Sequence, residues 1–137
     1  MRRPRQFQLH LHQHFRGVFA VEENVRIIDD PLYQTLRNEN IDAFNEAKAK
    51  ISACPSFSHG DFRGLDLRGI NVEGMDLSHA YFRGADIRGV DFSKTNMEGA
   101  SIAGAKISGC LFPTELHADE IVMSLNHGTR MRYNVGK

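Results

Sequence analysis

Residues 80–99 read AYFRG, ADIRG, VDFSK and TNMEG in immediate succession. Each five-residue unit has one large apolar residue at its centre: Phe82, Ile87, Phe92 and Met97. Stepping outward by five in both directions extends this column. It runs back through Leu77, Val72, Leu67 and Phe62 to Phe57, and forward through Ile102 and Ile107 to Phe112. A period of five fits neither a helix nor a strand, whose side chains repeat every ~3.6 and ~2 residues. Of the 12 glycines, those at 64, 69, 74, 84, 89, 99, 104 and 109 fall on the same beat. Two residues before each centre the chain is mostly small or apolar, as at Ala80, Ala85, Val90, Ala100, Ala105 and Cys110. One residue before it stand Asp61, Asp66, Asn71, Asp76, Asp86, Asp91 and Asn96. Asp and Asn bend a chain by bonding their own backbone, and Gly does so by accepting positive φ. A turn every five residues, with two side chains of each unit directed inward, describes a coiled ribbon with a dry interior.

The pattern resembles the pentapeptide-repeat family, whose unit is roughly Ala-Asp/Asn-Leu/Phe-X-X; ADIRG (85–89), VDFSK (90–94) and TNMEG (95–99) carry the likeness. It covers about residues 55–114. The resemblance implies a mainly β fold, a right-handed quadrilateral β-helix with four units per coil and about three coils here. Leu65, Ile70 and Met75 are large where the family prefers a small residue, so the first full coil is expected to be wider or irregular. In such a coil Phe62 lies under Phe82, Phe92 under Phe112, Leu77 under Met97 and Ile87 under Ile107. Burial of each is worth about 1.5–3 kcal/mol, which accounts for the column without a cofactor, and none is expected.

The composition limits the rest. A chain of 137 residues holds one ordinary domain. Lys and Arg equal Asp and Glu at 17 each, which argues against a globally basic nucleic-acid binder. No apolar run approaches the ~18 residues of a membrane span, and no continuous apolar region follows Arg2, Arg3 and Arg5 to make a secretory signal. Cys54 and Cys110 make no disulfide framework and fit a reducing compartment.

A solenoid exposes unpaired backbone at both ends and needs caps. The expected organisation is an N-terminal β element or arm over 1–29, a helical N-terminal cap over 30–54, the repeat over 55–114 and a C-terminal helical cap and tail over 115–137. In the arm, residues 7–15 (FQLHLHQHF) alternate and GVFAV with VRII reads as a hairpin. Asp30-Pro31 is a helix start. Asn40 can cap a second helix over 41–53, with Ile41, Phe44, Ala47 and Ile51 on one face. Thr114 or His117 can start a third, running to about Asn126, with Ile121, Val122 and Leu125 as its apolar face and Gly128 as its stop.

Candidate chemistry is sparse. His10, His12 and His14 would share one strand face about 6.5–7 Å apart, where a pair can ligate zinc; an exposed polar face is the plainer reading. His59 and His79 share a column at the solvent-facing turn place usually held by glycine. No phosphate loop, dinucleotide fingerprint or nucleophile constellation is present, and no catalytic residue is assigned. Arg63 stacks under Arg83, and Arg68 under Arg88, in adjacent outward columns about 4.8 Å apart per step. These four form the candidate partner-binding patch, able to grip carboxylates or phosphates, against a plainer reading in which Asp61, Asp66 and Asp86 neutralise them.

The expected function is a non-catalytic protein–protein interaction module. Residues 112–133 (FPTELHADEIVMSLNHGTRMRY) are similar to segments that follow repeats in enterobacterial secreted effectors, which implies a bacterial cytoplasmic protein or one secreted into a host cell. An alternative is the family's DNA-mimicking role against topoisomerases, but three coils rise only about 14 Å, under half of a ~34 Å DNA turn. A second alternative is metal binding through the N-terminal histidines. A homodimer is a further expectation, through Phe112, Leu116 and the C-terminal helix or through the alternating segment 6–15.

Overall fold

A computed structural model describes residues 28–134. The expected N-terminal β element therefore lies outside the described residues, apart from its last two positions. The element order is α1 (Pro31–Arg37), α2 (Ile41–Ala49), the five-residue repeat, and α3 (Ala118–His127).

Both predicted caps of the first two helices form. The Asp30 carboxylate accepts the Leu32 N–H, Pro31 takes the first helical turn, and the Asn40 side chain accepts the Ala43 N–H. The second helix ends at Ala49 rather than running to 53. Its last amides, on Lys50 and Ile51, bond back three residues to Ala47 and Lys48, which tightens the final turn. Ile51 is consequently 42% exposed and leaves the predicted apolar face.

From Phe57 the chain coils. Parallel bridges join Asp61 to Tyr81, Asp66 to Asp86, Asp76 to Asn96, Tyr81 to Ser101, Asp86 to Lys106 and Asp91 to Leu111, each a step of 20 residues. These are isolated bridges, and no longer strand occurs among the described residues. Each side of the coil has room for one bridge before the next turn. The expected β character is thus present as a ladder of single parallel pairs. The turns are closed by the amide two residues before one centre bonding the carbonyl of the previous centre, as in Ala85 to Phe82 (2.9 Å) and Val90 to Ile87 (3.1 Å). Gly84 and Gly89, at φ 70° and 77°, occupy the third turn place, where positive φ is required. His59 and His79 take the same place at φ 63° and 59°. Their rings stack at 4.9 Å, and a Cβ at Gly99, next in the column, would collide with the His79 ring.

The apolar column fills the interior as the 20-residue step requires. Phe62 stacks on Phe82 (5.1 Å) and Phe92 on Phe112 (5.9 Å), while Phe82 meets Phe92 edge-on across the axis (6.0 Å). The predicted irregularity of the first coil is a gap in the ladder. No bridge joins Asn71 to Asp91, although the pairs on either side of them are bridged. Residues 69–73, 89–91 and Lys94 instead line an open cleft of about 350 Å³. Ile70 and Met75 are buried at this level, and their bulk accounts for a local opening of the ladder, which closes again where the Gly74 N–H bonds the Lys94 carbonyl at 2.7 Å.

The N-terminal end of the coil is sealed by three side chains. The Tyr33 hydroxyl accepts the Asp61 N–H (3.2 Å) and donates to the Asp61 carbonyl (2.9 Å). The Glu39 carboxylate accepts the Asp66 N–H (2.7 Å). The Asn45 amide accepts the Asn71 N–H (2.9 Å) and donates to the Gly69 carbonyl (3.0 Å), standing in for the peptide group of a missing coil. The fourth side needs no such help, because Phe57 bonds Asp76 directly.

At the other end Gly128 stops α3 at φ 74° as predicted. Ile121 and Leu125 pack on the core, but Val122, placed on the apolar face by sequence, is 51% exposed. The helix and tail close half of the end. Ser124 Oγ accepts the Ile102 N–H, the Leu125 carbonyl accepts from Gly104, the Met131 carbonyl from Gly99 and the Tyr133 hydroxyl from Met97.

Candidate functional site

The outer faces are built by a rule local to each unit. The Asp or Asn before the centre accepts the N–H two residues on, as in Asp91 to Ser93 (2.8 Å), Asp76 to Ser78 (3.0 Å) and Asn96 to Glu98 (3.1 Å). Where that second residue is arginine, the carboxylate also takes its guanidinium. Arg63 meets Asp61 at 2.8 and 3.0 Å, Arg68 meets Asp66 at 2.9 and 2.7 Å, and Arg88 meets Asp86 at 2.9 and 2.7 Å. Arg68 reaches Asp86 on the next coil as well, at 3.4 Å. Of the four candidate partner-binding arginines, three are therefore clasped within their own turns. Arg83 differs because Tyr81 stands where the others have Asp.

The clasps act on the carboxyls. The Arg88 hydrogen bonds bring Asp86 down to about 2, and those of Arg68 lower Asp66. Burial alone would raise Asp61, but the hydrogen bonds and charge of Arg63, with the charge of Arg37, outweigh it and leave the group below its ordinary value. A carboxyl with a lowered folded pKa stabilises the fold above its unfolded pKa, and that stability is lost as pH falls through the folded value. Stability measured by urea midpoint is therefore expected to hold from neutral pH to about 5, then to fall from the unfolded carboxyl value of about 3.9 towards about 2. A midpoint that rises through this window would show that the clasps do not stabilise the coil.

The histidine candidates separate. His10, His12 and His14 lie outside the described residues. Among the described residues no group of three or more His, Cys, Asp and Glu is placed to hold a metal ion. Cys54 and Cys110 are free thiols, both raised by burial, and the Cys110 Sγ lies 2.8 Å from the Ile87 carbonyl.

The residues around Arg83 escape a reading based on periodicity. An open pocket of about 450 Å³ is lined by Tyr81, Arg83 and Ser101 from the coil and by His127, Gly128, Thr129 and Arg130 from the end of α3. Arg130 donates to the Tyr81 hydroxyl (2.7 Å), and its Cζ lies 5.5 Å from the Tyr81 ring centroid. The one signal in the sequence was the break in the Asp column at Tyr81. Arg130 carries no periodic mark.

A repeat of five residues, coiling every 20 and turning on glycine, is what residues 76–112 share with the Pentapeptide repeats family, matched there in eight copies. Residues 76–112 are pentapeptide repeats. No curated protein and no solved structure matches it. The matched segment begins just after Met75. The unmatched first coil is the one with large residues at 65, 70 and 75 and with the gap in its ladder. Among the described residues, no helix is long and apolar enough to cross a membrane.

Proposed function

We propose that this pentapeptide-repeat protein is a non-catalytic protein–protein interaction module: a short right-handed quadrilateral β-helix, sealed at its N-terminal end, that docks an extended segment of a partner protein at its C-terminal end. The observation that carries this reading is the half-open last coil. Among the described residues the Ile107, Gly109 and Phe112 amides have no hydrogen-bond acceptor, while the corresponding groups of the two neighbouring sides are closed by Ser124, Leu125, Met131 and Tyr133. Leu111, beside them, is 57% exposed. An edge of unpaired amides next to apolar surface is a template for an added strand. The likeness of residues 112–133 to segments of bacterial secreted effectors is consistent with a partner in a host cell. The alternative of a DNA mimic is not favoured, since the Asp columns are spent on arginine and turn amides.

Leu111→Lys places a charge on this edge without touching the interior. Capture of partners from lysate is expected to fall at least tenfold with the melting temperature unchanged. Full capture by the variant would reject the edge as the docking site. Loss of a concentration-dependent dimer in sizing runs would identify a second copy as the occupant.

A further inference from the structure

The gap in the ladder strands backbone groups that the fold pairs at the next level. On that outer level of the same side, three ladder bonds form: Gly89 to Ser108 (2.9 Å), Leu111 to Val90 (3.1 Å) and Phe92 to Leu111 (2.7 Å). The corresponding three one coil in would join Gly69 to Arg88, Asp91 to Ile70 and Val72 to Asp91. Among the described residues none of them forms, and those N–H groups and carbonyls have no other partner. Three donors and three acceptors are left over. The Val72 N–H belongs to a residue only 2% exposed, and a buried N–H is rarely left without an acceptor. Ile70, Val72 and Val90 give the cleft an apolar lining, with Glu73, Asp91 and Lys94 also around it.

The opening is short. Leu67 bonds Asp86 (2.9 Å) before it, and Gly74 bonds Lys94 (2.7 Å) after it. A strand laid between the coils would run into both closures, so the cleft admits only a small group entering across the face. Its chemistry is set by the stranded groups. A carboxylate only accepts; it would leave the carbonyls facing it, beside Glu73 and Asp91. An ammonium only donates; it would leave the N–H groups facing it, beside Lys94. A carboxamide donates and accepts together. The protein already uses one on this side, where the Asn45 carboxamide accepts the Asn71 N–H and donates to the Gly69 carbonyl. We infer that the ladder gap is a binding site for a carboxamide, carried by a glutamine or asparagine side chain of a partner or by a free small amide. The site lies one coil in from the open edge and does not depend on it.

The test is a titration of the whole chain with propionamide, propionate and propylammonium, read by backbone amide chemical shifts. A capped alanine tripeptide with glutamine at its centre, and its glutamate counterpart, test the partner source. Propionamide and the glutamine peptide are expected to give saturable shifts at the Gly69, Val72 and Asp91 amides. Propionate, propylammonium and the glutamate peptide are expected to bind at least tenfold more weakly. Ile70→Ala restores the small residue that Ala80, Ala85 and Ala100 supply at this place in their units. It is expected to let the coils close, which abolishes the response and slows exchange of the Val72 amide at least tenfold. If that variant does not fold, the titration of the unaltered chain still decides. A response to propionamide without one to the glutamine peptide identifies a free small amide as the source and rules out the partner side chain. No saturable response to propionamide, an equal response to propionate or propylammonium, shifts that do not map to the gap, or a folded Ile70→Ala chain that binds normally would overturn the inference.

Discussion

Phe82→Ala is expected to destabilise the protein by about 3–5 kcal/mol, measured by urea unfolding. Phe82 is 1% exposed and belongs to the middle coil. Its ring stacks on Phe62 below, at 5.1 Å and 13° between planes, and meets Phe92 edge-on at 6.0 Å and 71°. Phe62 in turn meets Tyr33 of α1 at 5.6 Å. Truncation therefore opens a cavity in the chain of rings that joins the N-terminal cap to the last coil. A stack of coils is held chiefly by nearest-neighbour contacts, so a middle residue supports two interfaces and a terminal one supports one. Phe112 tests this. Among the described residues its ring stacks on Phe92 alone, and it is half-buried, so Phe112→Ala is expected to cost about half as much. Equal losses at the two positions would show that the coils do not contribute as a nearest-neighbour array.

The column of rings was legible because a 20-residue step converts directly into contact: Phe62 under Phe82 and Phe92 under Phe112 follow from the period alone. The ladder gap was legible for a related reason. Leu65, Ile70 and Met75 break a rule that the later units obey, and a breach of a repeat is as informative as the repeat. The side chains that seal the ends were not legible. Tyr33, Glu39 and Asn45 act on Asp61, Asp66 and Asn71 across 26–28 residues. Helix periodicity explains only the buried faces of α1 and α2, and a polar residue aimed at a coil edge looks like an ordinary solvated one. The arginine patch was legible as a column but not as a set of clasps. The turn that brings Asp61 to Arg63 also makes Asp66 grip Arg68, so the exception at Arg83 emerged only once the local rule was seen. Arg130 lies 49 residues from Tyr81, beyond any local pattern.

The N-terminal seal should matter most where it is driest. Tyr33→Phe keeps the ring against Phe57 and Phe62, at 5.7 and 5.6 Å, and removes only the hydroxyl. The Asp61 carbonyl retains Arg37 Nη1 at 3.1 Å, but its N–H loses its acceptor in a residue only 6% exposed. A buried donor left without a partner costs about 1–3 kcal/mol. Asn45→Ala frees the Gly69 carbonyl and the Asn71 N–H, both exposed, and water can replace the amide, so about 0.5–1.5 kcal/mol is expected. The two side chains serve different sides of the coil, and the losses should add to about 2–4 kcal/mol. Stability is only half of the expected result. With both side chains changed, two of the four sides of the first coil present unpaired amides, which is the condition under which coil edges pair with one another. The double variant should therefore self-associate in sizing runs at concentrations where Tyr33→Phe alone does not. If it loses the predicted stability yet keeps the oligomeric state of the unaltered chain, the polar side chains hold the cap in place but do not guard the edge, and the bulk of α1 and α2 alone excludes other chains from it.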